Sequence, residues 1–425
     1  MTVIEQNSAH ALSRRGMLKA GLIAAAAGTS TTLAATTSST DTGSMDTAFP
    51  ARRAFGKIGT YLNAAATHPI PLRSAQAGMR MLASRADRSG PQPARPDLRP
   101  LFASLINASP DEIALVPSTG IAESMVADAL GLGPGRGVVT DGLHFDGALA
   151  MYASRAGKGM PLAIVRPRDG RVSTADIDAA ITPETRLVAV SEISNFNGFR
   201  HDLRAICEMA HARGVLVFAD VIQAVGAVAL DVRSTGVDFC AASAYKWMMG
   251  DLGTAFLYVR KDVQSRLTRP IAGWNELDDI AVLGQQTPFD AAITTDRFDF
   301  RGGAAGLFET SQQSIVNTAI VDASLALING LGLDRMAAHR DRLRAHARER
   351  LAAVPGVVPI TPDGLSTTIE AFAIKGAAAR LSGAFEQAHI HAGLYANRLR
   401  LSPSVYNSQD DIDRLADIAR RTLMT

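Results

Sequence analysis

The feature that most constrains this fold is the alternation of short apolar runs with longer amphipathic stretches between about residues 110 and 260. The runs are rich in Val, Leu, Phe and Ala and predict buried strands, whereas the stretches between them have helical spacing. Strands are expected at RLVAVSEI, VLVFAD, VDFCAASA and TAFLYV, and a helix is expected at HDLRAICEMAHARG. This alternation predicts an α/β fold with a mainly parallel, doubly wound sheet. Ligands of such sheets bind at the carboxyl ends of the strands.

The chain is long enough for a second, smaller domain. A helix is predicted over residues 312–330, where Ile315, Ala319, Val321 and Leu325 form the apolar stripe and Asn329-Gly330 ends it. With 425 residues, of which 47% are hydrophobic and 20% charged, the chain predicts a large domain over 61–315. A small C-terminal α/β domain is predicted over 316–425.

The N-terminus resembles a twin-arginine (Tat) export signal. In SRRGMLKAGLIAAAAGTSTTLAA, the pair Arg14-Arg15 precedes a short apolar stretch and small residues suited to cleavage near Ala34 or Ala35. The stretch is too short and too rich in Thr and Ser for a spanning helix of about 20 residues. We therefore expect a signal peptide over 1–35, a linker and N-terminal segment over 36–60, and export by the Tat translocase to the periplasm or another extracytoplasmic site.

Charge and cysteine content narrow the function classes. Lys plus Arg (43) nearly balances Asp plus Glu (41), and the basic stretch 334–354 carries acids and an apolar stripe. We interpret that stretch as a solvated helix face and expect no nucleic-acid partner. Cys207 and Cys240 lie in segments with the pattern of core elements, so we expect both to pack in the core as small hydrophobic residues. No disulfide framework and no metal site is expected.

Lys246 and Asp220 are the candidate chemical residues. Lys246 follows a strand of Ala and Ser, so its amine is expected in an enclosed site, where desolvation lowers the pKa and favours a Schiff base with a carbonyl. The alternative is a lysine that snorkels at the sheet edge. Asp220 ends another strand, and a carboxylate against a pyridinium nitrogen lets pyridoxal phosphate act as an electron sink. Gln223 is placed to reach the ring hydroxyl, although Asp220 is also suited to cap a helix.

The stretch FADVIQAVGAVALDVRSTGVDFCAASAYKWMMGDLGTAFLYVR resembles the core of the class V aminotransferase family. This family has the fold type I architecture of pyridoxal 5'-phosphate (PLP) dependent transferases and includes cysteine desulfurases, selenocysteine lyases, isopenicillin N epimerases and kynureninases. The similarity extends from about residue 60 to the C-terminus. It implies PLP as the cofactor and a homodimer with active sites at the subunit interface.

The resemblance assigns roles to individual residues. It makes Lys246 the lysine bonded to PLP, Asp220 the partner of the pyridine nitrogen, and Asn195 with Gln223 the contacts of the ring hydroxyl. The remaining expected cofactor contacts are Ser243 and Tyr245 at the phosphate, and His144, or else Phe145, stacked on the ring. Independently, VPSTGIAES turns from a strand into a helix, and the amides of Gly120, Ile121 and Ala122 suit an anion.

Two further segments complete the expected site. LFETSQQS resembles the region that reaches the phosphate of the neighbouring subunit, and Thr310, Ser311 and Gln312 are the candidates for that contact. LRLSPSVYNSQDDIDRL resembles the C-terminal motif whose arginine binds a substrate carboxylate, which a guanidinium fork suits. That arginine is Arg400, with Arg398 as the alternative, and Asn63 is expected beside the substrate.

The reaction itself stays open at this stage. A cysteine desulfurase needs a mobile cysteine shortly before that arginine, and GAFEQAHIHAGLYANRLR contains none. We expect an exported enzyme acting on an α-amino acid or peptide-linked amine, with Lys246 moving the α-proton. Transamination, epimerisation of the isopenicillin N epimerase kind, elimination such as C–S lysis, and oxidative deamination remain possible. A catalytically silent scaffold is the alternative of another class, because Ile121, Ala122, Tyr245 and Ser311-Gln312 depart from the family pattern.

Overall fold

The computed structural model describes residues 49–281 and 297–424, so the predicted signal peptide, 1–35, lies outside the described residues. The helices are α1 Leu72–Ala86, α2 Arg99–Leu105, α3 Thr119–Ala129, α4 Asp146–Ala156, α5 Thr174–Ala180, α6 Leu203–Ala212, α7 Val232–Thr235, α8 Lys261–Gln264, α9 Gly303–Phe308, α10 Ile315–Leu331, α11 Leu333–Ala352, α12 Ala377–Gln387 and α13 Gln409–Met424. The strands are β1 Thr60–Tyr61, β2 Ile113–Val116, β3 Gly137–Asp141, β4 Leu162–Val165, β5 Thr185–Ser191, β6 Leu216–Asp220, β7 Phe239–Ser243, β8 Ala255–Val259, β9 Leu277–Ala281, β10 Arg297–Phe300, β11 Val357–Pro359, β12 Glu370–Ile374, β13 Ile390–His391, β14 Gly393–Tyr395 and β15 Arg398–Leu401.

The central sheet has seven strands in the order β2-β8-β7-β6-β5-β3-β4. Strands β3 to β7 run parallel, and β8 runs antiparallel to both β7 and β2. The non-sequential order means that helices cross over between parallel strands. The prediction of a doubly wound, mainly parallel sheet is confirmed.

Apolar side chains project from both faces of this sheet. Val188 and Val217 belong to the core on one face, while their neighbours Leu187 and Phe218 belong to the core on the other. Because side chains alternate along a strand, burial of consecutive residues requires a cover on both faces. The strands therefore read as continuous apolar runs in the sequence.

Helix α6 shows how the local sequence sets an element. Asp202 caps its N-terminus, where the side chain accepts a hydrogen bond from the Ala205 N–H, and Gly214 follows its end with φ +70°. Its buried face carries Cys207, and Cys240 lies within the fully buried β7. Both thiols are free and buried, as predicted, and burial raises the pKa of Cys207 to about 12 and raises that of Cys240 as well.

The C-terminal part forms a smaller layer around a four-stranded antiparallel sheet in the order β11-β12-β15-β14. Helices α11, α12 and α13 supply most of its apolar core, which also contains Leu62 from the N-terminal segment. Strand β1 pairs in parallel with β13, and the Ala51 N–H donates to the Val405 carbonyl. The described end of the predicted linker segment, residues 49–60, is thus packed against the last hundred residues.

Helix α10 packs on the larger core, to which Val321 and Leu325 belong. Met336 of α11 also belongs to this core, whereas Leu343 belongs to the core of the smaller layer, so the change of core falls within α11. The domain limit at 315 stays a prediction. In the described part of the chain no single helix is long and apolar enough to cross a membrane. The bent pair α10 and α11, which passes that test by length and composition together, turns by 78° at its break.

Helix α11 differs from the solvated face predicted for 334–354. Its apolar stripe is buried as expected, but Arg340 and Arg344 are buried as well. Arg340 donates to the carbonyls of Thr367 and Ala227, and Arg344 forms an ion pair with Glu370 (2.9 Å). Burial of a guanidinium is tolerated where its donors find acceptors, so these two arginines join the helix to the rest of the fold instead of facing water.

Candidate active site

Polar residues collect at one edge of the central sheet, where the parallel strands end. Asp141, Ser191, Asp220 and Ser243 are the last residues of β3, β5, β6 and β7. All four are buried. The register pairs Ser191 with Asp220, so adjacent strands end level. This is the edge at which doubly wound sheets bind ligands.

Lys246 lies in the turn that follows β7 and is only 7% exposed. Burial lowers the pKa of its amine to about 8, an effect that the attraction of Asp220 opposes and the repulsion of Arg400 reinforces. An amine with this pKa is uncharged in about a tenth of molecules at neutral pH and in about half at mildly basic pH, far more than for an ordinary lysine, which suits a nucleophile. The Lys246 side chain is therefore not one that snorkels to water at the sheet edge, which was the alternative.

Asp220 is buried at the end of β6 and accepts a hydrogen bond from the Ile222 N–H at 2.9 Å. Burial raises the pKa of its carboxyl, while the nearby His144 and Lys246 favour the charged form. Residues 221–228 form turns, so Asp220 does not cap a helix. Its carboxylate lies near two basic side chains in a buried part of the fold.

His144 is held by an acidic residue that the sequence analysis did not single out. Its Nε2 lies 2.9 Å from Glu123 Oε1, and its Nδ1 lies 2.8 Å from Ser191 Oγ. The Tyr152 hydroxyl donates to the same Glu123 oxygen at 2.8 Å. Burial disfavours the imidazolium, but the carboxylates of Glu123, Asp220 and Asp141 together outweigh it and raise the pKa of His144. Glu123, His144 and Tyr152 therefore form one buried network, with a histidine that favours its charged form.

The N-terminus of α3 lies against the end of β7. Ser243 Oγ accepts a hydrogen bond from the Thr119 N–H and is 2.9 Å from Thr119 Oγ1. The Ile121 N–H donates a hydrogen bond to Ser118 Oγ, and the Ala122 N–H donates one to the Ser118 carbonyl. Of the three amides predicted to face an anion, only that of Gly120 lacks a partner among the described residues. A Cβ added at Gly120 would meet no atom within 4 Å, so open space lies beside it.

Gln223 connects three segments behind Lys246. Its side chain donates to the Ala65 carbonyl (3.1 Å) and accepts from the Trp247 indole N–H (2.9 Å). Close by, Gly226 has φ +87°, and a Cβ there would lie 2.6 Å from the Trp247 carbonyl oxygen. The backbone of the residue after Lys246 therefore passes directly over a glycine.

Arg400 lies on β15 of the smaller layer and is 3% exposed. It donates to the Asn195 carbonyl (3.0 Å) and to Asn63 Oδ1 (3.3 Å), whereas its Nε has no partner among the described residues. Burial lowers the pKa of this guanidinium. Asn195, Asn63 and Arg400, predicted from three distant segments, are thus brought together, although Asn195 contributes its carbonyl to this contact.

The remaining predicted residues lie farther from this group. Tyr245 is half-buried, with its ring centroid 5.7 Å from Lys246 Nζ, whereas Phe145 is exposed. Thr310 belongs to the loop between α9 and α10 and makes no described contact with the other site residues. No group of three or more His, Cys, Asp or Glu side chains suited to a metal ion occurs within 49–281 and 297–424.

Some residues of the site carried no usable signal in the sequence. Glu123 and Tyr152 lie on different helices; Glu123 falls within the segment VPSTGIAES, but nothing in that segment singled out its side chain. His68 is also buried here, where its Nε2 lies 2.7 Å from Ser404 Oγ and burial lowers its pKa to about 4. Thr119 lies in the same segment, directly before the amides predicted to bind an anion.

Residues 92–415 match the family described as aminotransferase class-V. The chain is 28% identical to an uncharacterized aminotransferase, YcbU, of Bacillus subtilis, over 76% of this chain and 82% of the relative. It is 29% identical to an isopenicillin N epimerase of Streptomyces clavuligerus, over 75% of this chain and 82% of that relative. It is 28% identical to a probable cysteine desulfurase of Methanothermobacter thermautotrophicus, over 70% and 73%.

Solved structures show the same fold. The cysteine desulfurase CsdA of Escherichia coli superposes with a TM-score of 0.77 at 20% identity, over 88% of this chain and 98% of that one. A C-DES variant with glycine covalently linked to its PLP cofactor superposes with a TM-score of 0.74 at 19% identity, over 85% and 96%. The predicted fold type I architecture is confirmed by these similarities.

Proposed function

The chain belongs to the class V aminotransferase family, whose enzymes depend on pyridoxal 5'-phosphate, and on this basis we propose that it acts on an α-amino acid or a peptide-linked amine through transamination or related α-proton chemistry. The observation that carries the proposal is the buried group of Lys246, Asp220 and His144 at the carboxyl edge of the sheet. An ordinary stable fold gains little from burying an amine and a carboxylate together. Perturbed ionisable groups in one pocket are typical of catalytic sites.

The residues present fit PLP in type and in space. The open volume beside Gly120, together with its unpartnered N–H, suits a phosphate group at a helix N-terminus. Asp220 would be the acceptor for a protonated ring nitrogen. Gln223 lies behind the lysine turn, where its side chain bonds Ala65 and Trp247, and only its remaining N–H would be left for the ring hydroxyl. When bound, PLP supplies an aldehyde for amines and an electron-withdrawing ring.

Lys246 is the proton carrier in this proposal. With its pKa lowered to about 8, the amine accepts a proton from the substrate α-carbon and returns one without a large energetic penalty. Asp220 keeps a negative charge close to that amine and so limits how far the pKa falls. Because both groups are buried, water competes little for the proton in transit.

Arg400 orients the substrate. Two of its nitrogens are held by the Asn195 carbonyl and by Asn63 Oδ1, which leaves the unpartnered Nε and the remaining N–H groups for a carboxylate. A guanidinium held in one orientation binds a carboxylate with little further loss of entropy. The α-carboxylate of an amino acid is the group that this arrangement suits.

Persulfide chemistry is not part of the proposal, although desulfurases are among the relatives. The chain has two cysteines, both buried, and burial raises the pKa of each thiol. A reactive cysteine requires an accessible thiolate. Epimerisation remains the second candidate reaction, because an isopenicillin N epimerase is similar over 82% of its own length.

Location and assembly belong to the proposal as well. The twin-arginine pattern at Arg14-Arg15 supports export of a folded enzyme to the periplasm or another extracytoplasmic compartment. The segment with Thr310 resembles the part of the family fold that reaches a neighbouring subunit, which supports a homodimer. A catalytically silent scaffold is disfavoured, since it has no need for a buried amine with a lowered pKa.

The test is the visible spectrum of the purified protein, recorded with and without added PLP. Wild type is expected to hold the cofactor and to attach it to residue 246 on borohydride reduction, as a mass increase on the peptide containing that residue. Lys246→Ala should lose the attachment, whereas Lys158→Ala, which removes an exposed lysine, should keep it. Labelling of wild type at other lysines only would refute the proposal.

A panel of amino acids and dipeptides then separates the reactions. Formation of a keto product with consumption of an acceptor acid indicates transamination, and loss of optical rotation without a keto product indicates epimerisation. Exchange of the α-hydrogen for deuterium is expected in both cases and should disappear in Lys246→Ala. Absence of exchange with every amine tested, in a protein that holds PLP, would favour the scaffold.

A further inference from the structure

A groove of about 1100 Å³ lies beside Arg400 but outside the group described above. It is bounded by the loops 169–171 and 196–197 of the larger layer and by the loop 359–363 and strands of the smaller layer. Its lining is mostly apolar, and the side chains that converge on it include Phe196, Tyr395 and Arg398. We propose, on the basis of the proposed function, that this groove binds a second carboxylate carried at the far end of the substrate, with Arg398 as the residue that recognises it.

Arg398 is held in a defined orientation by two aromatic rings. Its guanidinium carbon lies 4.0 Å from the ring centroid of Phe196 and 4.0 Å from that of Tyr395. Two rings cannot both stack on one face of a guanidinium, so the rings cover opposite faces. The N–H donors lie in the plane of the group, and those not used by the Tyr395 side chain are free to bind a carboxylate edge-on.

Among the described residues Arg398 has no carboxylate partner at ion-pair distance, and its Nε has no hydrogen-bond partner. Partial burial lowers the pKa of Arg398, whereas the side chain of Tyr395 and, less strongly, the carboxylate of Asp146 favour its charged form. Arg348, which also lines the groove, is paired with Glu370 and Asp363. A half-buried cation without a close counter-ion gains from an anionic ligand, and contact with water makes this gain smaller than at a fully buried site.

The groove is close to the carboxylate site because Arg398 and Arg400 lie on the same face of β15. Alternate residues of a strand share a face and are separated by roughly 7 Å along it. The ring of Tyr395 is also 5.6 Å from the guanidinium carbon of Arg400 and so lies near both groups. A substrate whose α-carboxylate meets Arg400 therefore reaches Arg398 with a chain of several carbons, as in an amino dicarboxylic acid or an acidic peptide.

The test compares two probes of equal length, adipate with a carboxylate at each end and hexanoate with one. Calorimetric titration of the full-length holoprotein is expected to show adipate binding about tenfold or more tightly than hexanoate, from one additional charge-assisted contact. Arg398→Gln should remove this preference, and Arg398→Lys should retain part of it, because the charge stays while the fork is lost. Arg168→Gln, which removes a charge outside the groove lining, should leave the preference intact.

The outcomes separate this inference from the proposed function. Equal affinities of the two probes, no measurable adipate binding, or a preference that survives Arg398→Gln would each overturn the groove assignment. A purely structural role for the stacked arginine would lower the unfolding midpoint of the Gln and Lys variants and leave the ratio of affinities unchanged. The absorption of bound PLP, recorded on the same samples, reports on the proposed function alone.

Discussion

Replacement of Gly226 by alanine tests the close approach of the chain behind Lys246. Gly226 has φ +87°, and a Cβ there would lie 2.6 Å from the Trp247 carbonyl oxygen, 2.7 Å from its carbon and 3.0 Å from the Met248 nitrogen. All three atoms belong to the backbone, so no side chain can rotate out of the way. The left-handed conformation costs a non-glycine residue about 1–2 kcal/mol, and overpacking adds about 1–3 kcal/mol. Gly226→Ala is thus expected to lose about 2–5 kcal/mol of unfolding free energy.

Gly253 provides the matched control. Its φ is +85°, but a Cβ there would meet no atom within 4 Å. Gly253→Ala should lose only the conformational part, about 1–2 kcal/mol. Urea unfolding of the two variants, measured without PLP so that cofactor binding does not contribute, therefore isolates the contact with Trp247.

A functional readout belongs to the same experiment. The clash displaces the residue next to Lys246, so Gly226→Ala should also bind PLP more weakly, whereas Gly253→Ala should bind it as wild type does. Equal losses of stability in the two variants would refute the reasoning, because they would show that the Trp247 backbone does not press on residue 226.

Three further predictions concern buried charges. Glu123→Gln should lower the pKa of His144, whose raised value in the folded protein stabilises the fold at pH values below the ordinary pKa of 6.5. This stabilisation is lost as the pH rises from 6.5 through the pKa of the folded state. The urea midpoint of wild type should therefore fall over this pH range, and the midpoint of the variant should not. Attachment of added PLP to Lys246, trapped by borohydride, should increase as pH rises through about 8, and an increase only near 10 would contradict the lowered pKa. Arg344→Met should cost about 1–3 kcal/mol, because it leaves one oxygen of the buried Glu370 without its donor while Arg348 still neutralises the charge. Arg342→Met, which removes an exposed arginine, should change the urea midpoint little, and similar losses in both variants would argue against the buried pair.

The parts of the fold that follow local periodicity were predictable from the sequence. The strands ending at Asp220 and before Lys246 have continuous apolar composition, so their existence and their carboxyl ends could be located within a residue or two. The same chain order placed the two chemical residues at one edge of the sheet. Asn63 and Arg400 required the resemblance to a family, since 337 residues separate them.

Contacts between elements were not predictable in the same way. Glu123 reads as an ordinary polar residue of α3, and only the packing of α3 against α4 brings it to His144 and Tyr152. Arg340 was interpreted as solvated because composition does not reveal which carbonyls a helix will face. Such polar contacts depend on tertiary geometry, which sequence patterns encode weakly.

The pairing of residues 51–63 with residues 390–405 has a consequence for the order of assembly during synthesis. The Ala51 N–H can bond to the Val405 carbonyl, β1 can pair with β13, and Asn63 can meet Arg400 only after these later residues have been made. The elements that carry Glu123, His144, Asp220 and Lys246 are made earlier and can pack among themselves first. The part of the candidate site that contains Asn63 and Arg400 is therefore completed last, by closure of a very long loop, which is a slow class of folding event.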